Sequence, residues 1–358
     1  MEGIEIPKRI DTIRAFKEGG GKIAAVFPIH YPRELLRAFN ILPVEVWGPP
    51  VVSTSLGATH LQPYICSIVQ NALSYLLSGG LEVTDVLLVP HTCDSLQGLG
   101  SILIDFIKPK QPVMTLYLPR GKRAIDIDFL IDELRSVYDR LIEISTLAPS
   151  ETDMMDCILR EEAADRMLSN LHQLRPFNSE ALYRLIRSRE YLPSEKFLEI
   201  AQRAMAVNTK NNQDGIPVLL SGIVPEPMSL FRALEEVGGH VVADDLACCG
   251  RRLYPPGKSQ EPFRRMAERI LSALPDAMRG SSIQDRLEHL IELVKASDAR
   301  GVIFYEIKFC EPELFDLPQL RRELRQAGIP SLVIEVDLND ELAQPVLNRI
   351  AAFLEMLE

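Results

Sequence analysis

Gly301-Val-Ile-Phe-Tyr-Glu-Ile-Lys-Phe-Cys310 is a largely apolar run, typical of a buried strand, that ends in a cysteine. Asp85-Val-Leu-Leu-Val-Pro-His-Thr-Cys93 repeats this arrangement in the other half of the chain. An acidic residue follows each cysteine, Glu311 in one case and Asp94 in the other. Open α/β sheets place their sites in the crevice beyond the carboxyl ends of their strands. We therefore expect the two thiols to lie at equivalent strand ends of two matching halves.

The two halves also share the order of their remaining elements. Further strand patterns lie at residues 22–27, 42–47 and 113–117 in the first half and at 216–220, 241–243 and 331–336 in the second. Helical patterns separate these strands, beginning at Arg33 in one half and at Glu226 in the other. Strands that alternate with helices predict parallel sheets joined by right-handed crossovers.

A helical segment separates the halves, because residues 150–212 carry charged and apolar residues at helical spacing and little strand pattern. The sequence thus predicts an α/β fold with two similar Rossmann-like or flavodoxin-like parallel-sheet domains joined by helices. The predicted divisions are 1–150 for the first α/β domain with its lead-in helix, 151–212 for the helical connector and 213–358 for the second α/β domain.

Composition excludes several classes of protein. The chain has 358 residues, of which 46% are hydrophobic and 25% charged, as in a soluble globular protein of two domains. Its net charge of −11 disfavours nucleic acid and anionic membranes as partners. No apolar run approaches the roughly 20 residues of a membrane span, and the first residues lack a signal-peptide pattern. We expect a cytoplasmic protein whose six cysteines do not form a disulfide scaffold.

Cysteines are the main chemical candidates. A single buried cysteine is most often a small hydrophobe, and the absence of a Cys-x-x-Cys pair argues against a zinc site. Two thiols at equivalent strand ends nevertheless suggest a shared metal site, with Cys66 as a third ligand. Thiolates are the usual ligands of iron–sulfur clusters, and three of them would leave one iron of a cubane open.

Other polar residues have two interpretations each. His91 and His30 follow strands, where they could be acid–base groups or satisfied loop histidines. Glu306 alternates with apolar residues just before Cys310, so it needs a partner or a site. Glu34 is expected to favour the first turn of a helix.

The adjacent pairs Cys248-Cys249 and Arg251-Arg252 follow another strand pattern. For the cysteines, loop packing is favoured over cluster ligation. For the arginines, a solvated loop is favoured over phosphate binding. Cys157 lies in the connector and is expected to be structural. The sequence has no glycine-rich nucleotide loop, so ATP hydrolysis would belong to another protein.

The chain resembles the catalytic component of the 2-hydroxyacyl-CoA dehydratases, which share a family with the subunits of ATP-dependent benzoyl-CoA reductase. The resemblance covers nearly the whole chain in order. The matching stretches include Phe27-Pro-Ile-His-Tyr-Pro-Arg-Glu34, Leu42-Pro-Val-Glu-Val-Trp-Gly48, Cys66-Ser-Ile-Val-Gln70, Val89-Pro-His-Thr-Cys-Asp94, Leu219-Leu-Ser-Gly-Ile223, Val241-Val-Ala-Asp-Asp-Leu246, Lys308-Phe-Cys-Glu-Pro312 and Glu335-Val-Asp337. His30-Tyr31 departs from the small or cysteine-containing stretch that is more usual in the family.

The resemblance implies a [4Fe–4S] cluster between the two α/β domains, bound by Cys66, Cys93 and Cys310. It implies a lyase of anaerobic metabolism that converts a 2-hydroxyacyl-CoA to a 2-enoyl-CoA and water through a ketyl radical anion. An ATP-dependent iron–sulfur activator protein would supply the electron. The chain would pair with a related sister subunit or a second copy of itself. His91 and Glu306 are the candidates for moving the hydroxyl or C3 proton.

Several alternatives stay open. An aromatic acyl-CoA reductase of the benzoyl-CoA type would be an oxidoreductase in the same family. The extra cysteines also allow the branch with a double-cubane cluster, which is less favoured because Cys157 is poorly placed to join it. A non-catalytic partner or electron-relay subunit is the non-enzyme alternative. The family resemblance also allows a flavin on the complex, and it leaves the acyl group unspecified.

Overall fold

The computed structural model describes residues 5–49, 52–207 and 214–358, which form two α/β units and three intervening helices. The first unit contains α1 Arg9–Glu18, β1 Lys22–Val26, α2 Arg33–Ala38, β2 Ile41–Glu45, α3 Ser55–Ala58, α4 Ser67–Leu77, β3 Val86–His91, α5 Asp94–Ile102, a π-helical turn Leu103–Ile107, β4 Val113–Tyr117 and α6 Ala124–Ser145. The intervening helices are α7 Glu151–Leu174, α8 Ser179–Ser188 and α9 Ser194–Val207. The second unit contains β5 Ile216–Gly222, α10 Leu230–Glu236, β6 Gly239–Leu246, a 3-10 turn Gly250–Arg252, α11 Pro262–Leu271, α12 Ile283–Ser297, β7 Gly301–Ile307, α13 Glu311–Gln326, β8 Ser331–Val336 and α14 Gln344–Leu357.

Each unit holds a four-stranded parallel sheet with the same strand order. The orders are β2-β1-β3-β4 and β6-β5-β7-β8. The predicted α/β fold with two similar parallel sheets is confirmed. Because β3 and β7 occupy the same position in their sheets, Cys93 and Cys310 follow equivalent strands. Buried interior strands of a parallel sheet are apolar along their whole length, which explains the runs that identified them.

Two elements differ most from their predicted bounds. The helix expected from Glu226 begins at Leu230. Pro225 and Pro227 explain the late start, because a proline disfavours helical geometry in the residue before it. The strand expected at 241–243 extends through Asp244 and Asp245 to Leu246. Two buried carboxylates are tolerated there because other side chains bind both.

The cores of the units are not separate. One apolar core contains side chains of both sheets, such as Leu87 and Ile303, together with Cys66 and Cys310. Helix α11 follows β6 in the chain, yet Met266 and Ile270 pack in a core with residues of the first sheet. The division at 212 and 213 lies outside the described residues, so the domain bounds stay a prediction. None of the helices described is long and apolar enough to cross a membrane.

Candidate functional site

Three cysteines stand at three helix N-termini. Cys66 is the N-cap of α4, Cys93 the N-cap of α5 and Cys310 the N-cap of α13. The first amides of a helix have no intrahelical acceptor, and they carry the positive end of the helix dipole. Each thiol therefore lies where the backbone favours negative charge on sulfur. Two of the helices belong to the first unit and one to the second.

The thiols are close enough to affect one another. Burial raises the pKa of the Cys93 thiol to about 12, with the charge of Cys66 as the next cause. Burial also raises the pKa of Cys310 well above its usual value, and the charges of Cys66 and Cys93 both add to the effect. Burial raises the pKa of the Cys66 thiol, and hydrogen bonds from the backbone of α4 and from Ser95, in the first turn of α5, oppose this. The structure thus brings the three predicted cysteines together at one place between the units.

Three cysteine thiols are a donor set that can bind an iron–sulfur cluster. Across residues 5–49, 52–207 and 214–358, no three His, Cys, Asp or Glu side chains are close enough to hold one ion. The thiolates of a cubane bind different irons, so their sulfurs stand further apart than ligands of one ion. Three thiols with backbone amides beside them are also the chemistry of iron–sulfur ligation. Cys66 and Cys310 are each 6% exposed, so solvent has little access to the two sulfurs.

Glu306 lies at the end of β7, within reach of the charge of Cys310. It is 1% exposed, and neither carboxyl oxygen has a hydrogen-bond partner among the described residues. Burial raises its pKa well above the usual value and the charge of Glu313 adds to this, while Arg251 and Arg286 oppose it. The raised pKa favours the protonated form of the Glu306 carboxyl, which makes it a candidate proton donor.

The match to a known family covers this whole arrangement. The family model described as 2-hydroxyglutaryl-CoA dehydratase, D-component, matches residues 28–357. This chain is a member of that family. The matched range includes the three cysteines, the first α/β unit from the loop after β1 onward and nearly all of the second unit. The resemblance expected from the sequence is confirmed.

Known relatives of this D-component chain are subunits of two kinds of enzyme. The (R)-phenyllactyl-CoA dehydratase beta subunit of Clostridium sporogenes is 26% identical over 374 residues, covering 99% of this chain and 96% of that protein. The (R)-2-hydroxyglutaryl-CoA dehydratase subunit beta of Acidaminococcus fermentans is 26% identical, covering 96% and 94%. A benzoyl-CoA reductase subunit of Thauera aromatica is 23% identical, covering 94% and 91%. The family is therefore clear, whereas the reaction is a choice between its branches.

In this D-component chain His91 lies beside Cys93. Both side chains line a cavity of about 40 Å³. The imidazole packs edge-on against Tyr117, with ring centroids 4.4 Å apart. Neither ring nitrogen has a hydrogen-bond partner in the described part of the chain, and burial lowers the pKa of His91. A β-carbon at Gly100 would lie 2.8 Å from its Nε2, so glycine leaves the room that the ring occupies. A neutral imidazole without a partner can accept a proton.

His30 is a loop histidine whose hydrogen-bonding groups are both satisfied, and not a free acid–base group. Its side chain is fully buried, with Nε2 3.3 Å from Asp276 Oδ2 and Nδ1 3.1 Å from the Tyr254 hydroxyl. Burial lowers the pKa of His30 in spite of the nearby Asp276 charge. With both nitrogens bonded, this histidine fixes the loop after β1 to the second unit.

The remaining cysteines lie elsewhere. Cys248 and Cys249 follow β6, and their sulfurs are 3.2 Å apart in a fully buried loop. Burial raises the pKa of Cys249 well above its usual value, and the charges that act on it are those of Cys248, Asp244 and Arg187. None of these belongs to the three candidate ligands. Cys157 lies in α7, where it accepts a hydrogen bond from Arg160.

A buried network of ion pairs surrounds the site, and the sequence did not predict it. Arg251 was expected in a solvated loop, yet it is 0% exposed and bonds Asp245 and Glu313. Arg252 is also buried, where it forms an ion pair with Glu45. Burial of a guanidinium requires such partners, which lie far away in the sequence. The adjacent acidic pair at 244–245, at the end of a buried strand, was the one feature of the sequence that pointed to buried ion pairs.

Glu34 was also expected to act only on its own helix. It is 5% exposed and bonds Arg269 at 2.5 Å. Burial raises the pKa of Glu34, which the Arg269 charge opposes. This carboxyl therefore joins α2 of the first unit to α11, in addition to any effect on the helix dipole.

Proposed function

We propose that this chain is one subunit of an iron–sulfur 2-hydroxyacyl-CoA dehydratase, a hydro-lyase that forms a 2-enoyl-CoA and water. The observation that carries the proposal is the convergence of Cys66, Cys93 and Cys310, from both α/β units, at three helix N-termini. Similarity over nearly the full length to dehydratase subunits supports it. An ATP-dependent activator protein and a sister subunit or second copy would complete the system.

Cys66, Cys93 and Cys310 would hold three irons of a [4Fe–4S] cluster and leave the fourth free for the thioester oxygen. Such a cluster, when bound, supplies a Lewis-acidic iron and a one-electron donor. The amides at the starts of α4, α5 and α13 would stabilise the negative charge on the sulfurs. Apolar neighbours such as Ile68 and Ile307 share the core of Cys66 and Cys310 and would keep water from the reacting groups.

Glu306 and His91 would divide the proton transfers. Glu306 is the acid, because burial raises the pKa of its carboxyl and neither carboxyl oxygen has a partner among the described residues. Its proton can pass to the departing 2-hydroxyl, which leaves as water. His91 is the base, because its neutral ring has free nitrogens beside Cys93. It can take the proton from C3 of the acyl chain.

Glu306→Gln tests the acid. We expect turnover to fall by roughly 10²- to 10⁴-fold, as is usual when a general acid is lost. Iron content should be unchanged and stability unchanged or slightly higher, since the amide cannot ionise beside Glu313. Glu335 is the matched control, because it is exposed on β8 at the register position paired with Glu306. Full turnover by Glu306→Gln with an intact cluster would remove this role, as would an equal loss in Glu335→Gln.

An assay of the assembled enzyme tests the reaction. The chain is purified anaerobically with its partner subunit and mixed with activator, ATP and a strong reductant. A dehydratase returns its electron after each cycle, so one reduction should support many turnovers of a 2-hydroxyacyl-CoA. An aromatic acyl-CoA reductase would instead consume electrons in proportion to product. Stoichiometric consumption would favour that oxidoreductase branch, and protein without iron would overturn the cluster proposal.

An electron-relay subunit is the second candidate. One observation favours it: the cavity beside Cys93 measures only about 40 Å³. The sister subunit would then bind the acyl-CoA. Electron paramagnetic resonance separates the two candidates when the sister cluster is removed by mutation. A substrate-induced change in the signal of this chain's cluster supports a substrate-binding subunit, and an unchanged signal supports the relay.

A further inference from the structure

A large cavity lies away from the three cysteines, between α1, β2 and α4. Its volume is about 520 Å³, within the range of roughly 300–1,000 Å³ typical of small-molecule sites. Most of the wall is apolar, and Ile13, Val44, Trp47, Tyr75 and Leu81 form part of it. None of the candidate cluster ligands lines this cavity. An apolar surface of this size is suited to an apolar ligand.

The wall is preformed. The Trp47 indole donates a hydrogen bond to Glu45 Oε2 at 2.9 Å, which fixes the ring. Gly48 follows with φ +76°, and a β-carbon there would lie 2.7 Å from the Ile68 carbonyl oxygen. Only glycine allows the chain to pass so close to α4. The cavity wall is therefore ordered before a ligand binds, and binding does not have to order it.

The charged residues of the cavity leave one positive charge without a partner. Arg9 and Arg187 bind the same carboxylate, that of Glu190, at 2.8 and 2.7 Å. Arg187 also forms an ion pair with Glu226, so two guanidinium groups face two carboxylates. Lys8 lines the cavity too. It is exposed, and its ammonium group forms no hydrogen bond or ion pair with the described residues.

The remaining carboxylate of the wall is already neutralised. Glu45 binds Arg252 and accepts hydrogen bonds from the Tyr31 hydroxyl and the Trp47 indole. The Arg252 charge keeps the pKa of Glu45 below its usual value, although burial opposes ionisation. The cavity therefore has a small positive surplus in a chain whose net charge is −11. Such a surplus favours an anion.

We infer that this cavity binds an amphipathic monoanion, a carboxylate with an aromatic or branched aliphatic body. The apolar wall would hold the body, and Lys8 with Arg9 would hold the carboxylate. Polyphosphates are disfavoured because only one cation is unpaired. The cavity is separate from the proposed chemistry, yet Tyr75 in its wall belongs to α4, whose N-cap is Cys66. A ligand in this cavity would thus contact α4, the helix whose N-cap is the candidate cluster ligand Cys66.

Trp47 reports on this cavity directly, because it is the only tryptophan of the chain. The full-length holoprotein is titrated with 4-phenylbutyrate and, separately, with 4-phenyl-1-butanol, which has the same body without the charge. We expect a saturable change of Trp47 fluorescence with the carboxylate and clearly weaker binding of the alcohol. Calorimetry on the same samples gives the affinities independently of fluorescence.

Lys8→Glu tests whether the positive charge of Lys8 contributes to binding. Lys295→Glu, on the exposed side of α12, is the control, because it changes the net charge by the same amount. An exposed ion pair contributes little to binding. Lys8→Glu should therefore weaken the binding of 4-phenylbutyrate by about 2- to 5-fold and leave the affinity for 4-phenyl-1-butanol unchanged. No saturable binding of the carboxylate would overturn the inference. Equal affinities for the carboxylate and the alcohol would overturn the proposal that positive charge contributes to binding. Equal losses of carboxylate affinity in Lys8→Glu and Lys295→Glu would overturn it too.

Discussion

Replacing Cys93 with alanine is expected to remove most of the iron from the anaerobically purified protein and, with it, all turnover. Cys93 is the thiol that faces the cavity beside His91, and it joins Cys66 and Cys310 at the junction of the two α/β units. A cubane with only two thiolates would be poorly held, because two of its irons would have no protein ligand. Iron content, visible absorption and electron paramagnetic resonance measure the loss.

Cys157→Ala is the matched control, because this thiol is buried in α7 and bonded to Arg160. It should retain full iron and turnover. Cys249→Ala should also retain iron, since its sulfur contacts only Cys248 among the thiols described. Loss of iron in Cys249→Ala would instead favour the double-cubane branch. Full iron in Cys93→Ala would contradict the ligand assignment.

The sequence alone predicted that Cys93 and Cys310 occupy equivalent positions in the two halves of the chain. Each follows a long apolar run, and such runs identify interior strands of a parallel sheet. The structure places β3 and β7 at the same position in two sheets of the same order. Cys66 is different, because it follows the loop before α4 and not a strand. No periodic pattern predicts that position, so the residues alone made Cys66 a possible third ligand, and the family resemblance implied its role.

The buried charges could not be predicted from the sequence. Arg251 bonds Glu313 across 62 positions, and Arg269 bonds Glu34 across 235. Local patterns describe helices and strands, whereas these pairs depend on how the finished elements pack. An arginine beside a strand end has the same local sequence whether it lies in water or in a core. The apolar cavity beside Trp47 was missed for the same reason, since α1 closes it over β2.

Arg251→Met should destabilise the protein strongly, by about 3–5 kcal/mol, because it leaves the buried Asp245 carboxylate without its arginine partner and removes one of the two arginines that bind Glu313. The guanidinium is fully buried and bonds both Asp245 and Glu313. Methionine fills a similar volume, so most of the loss should be electrostatic. The shift of the denaturant midpoint under anaerobic conditions measures it. Arg203→Met is the control, because that side chain is 70% exposed in its pair with Glu199, and it should change stability by less than about 0.5 kcal/mol.

Adding Asp245→Asn to Arg251→Met separates charge from packing. If the loss comes from uncompensated carboxylates, neutralising one of them should recover part of it, with a coupling of about 0.5–3 kcal/mol. Asp245 is the better choice for this cycle, since Glu313 also binds Arg286 and would leave that arginine unpaired. Strictly additive losses would mean that Arg251 acts through packing alone. A measured coupling would show that the buried Asp245–Arg251 ion pair itself contributes to stability.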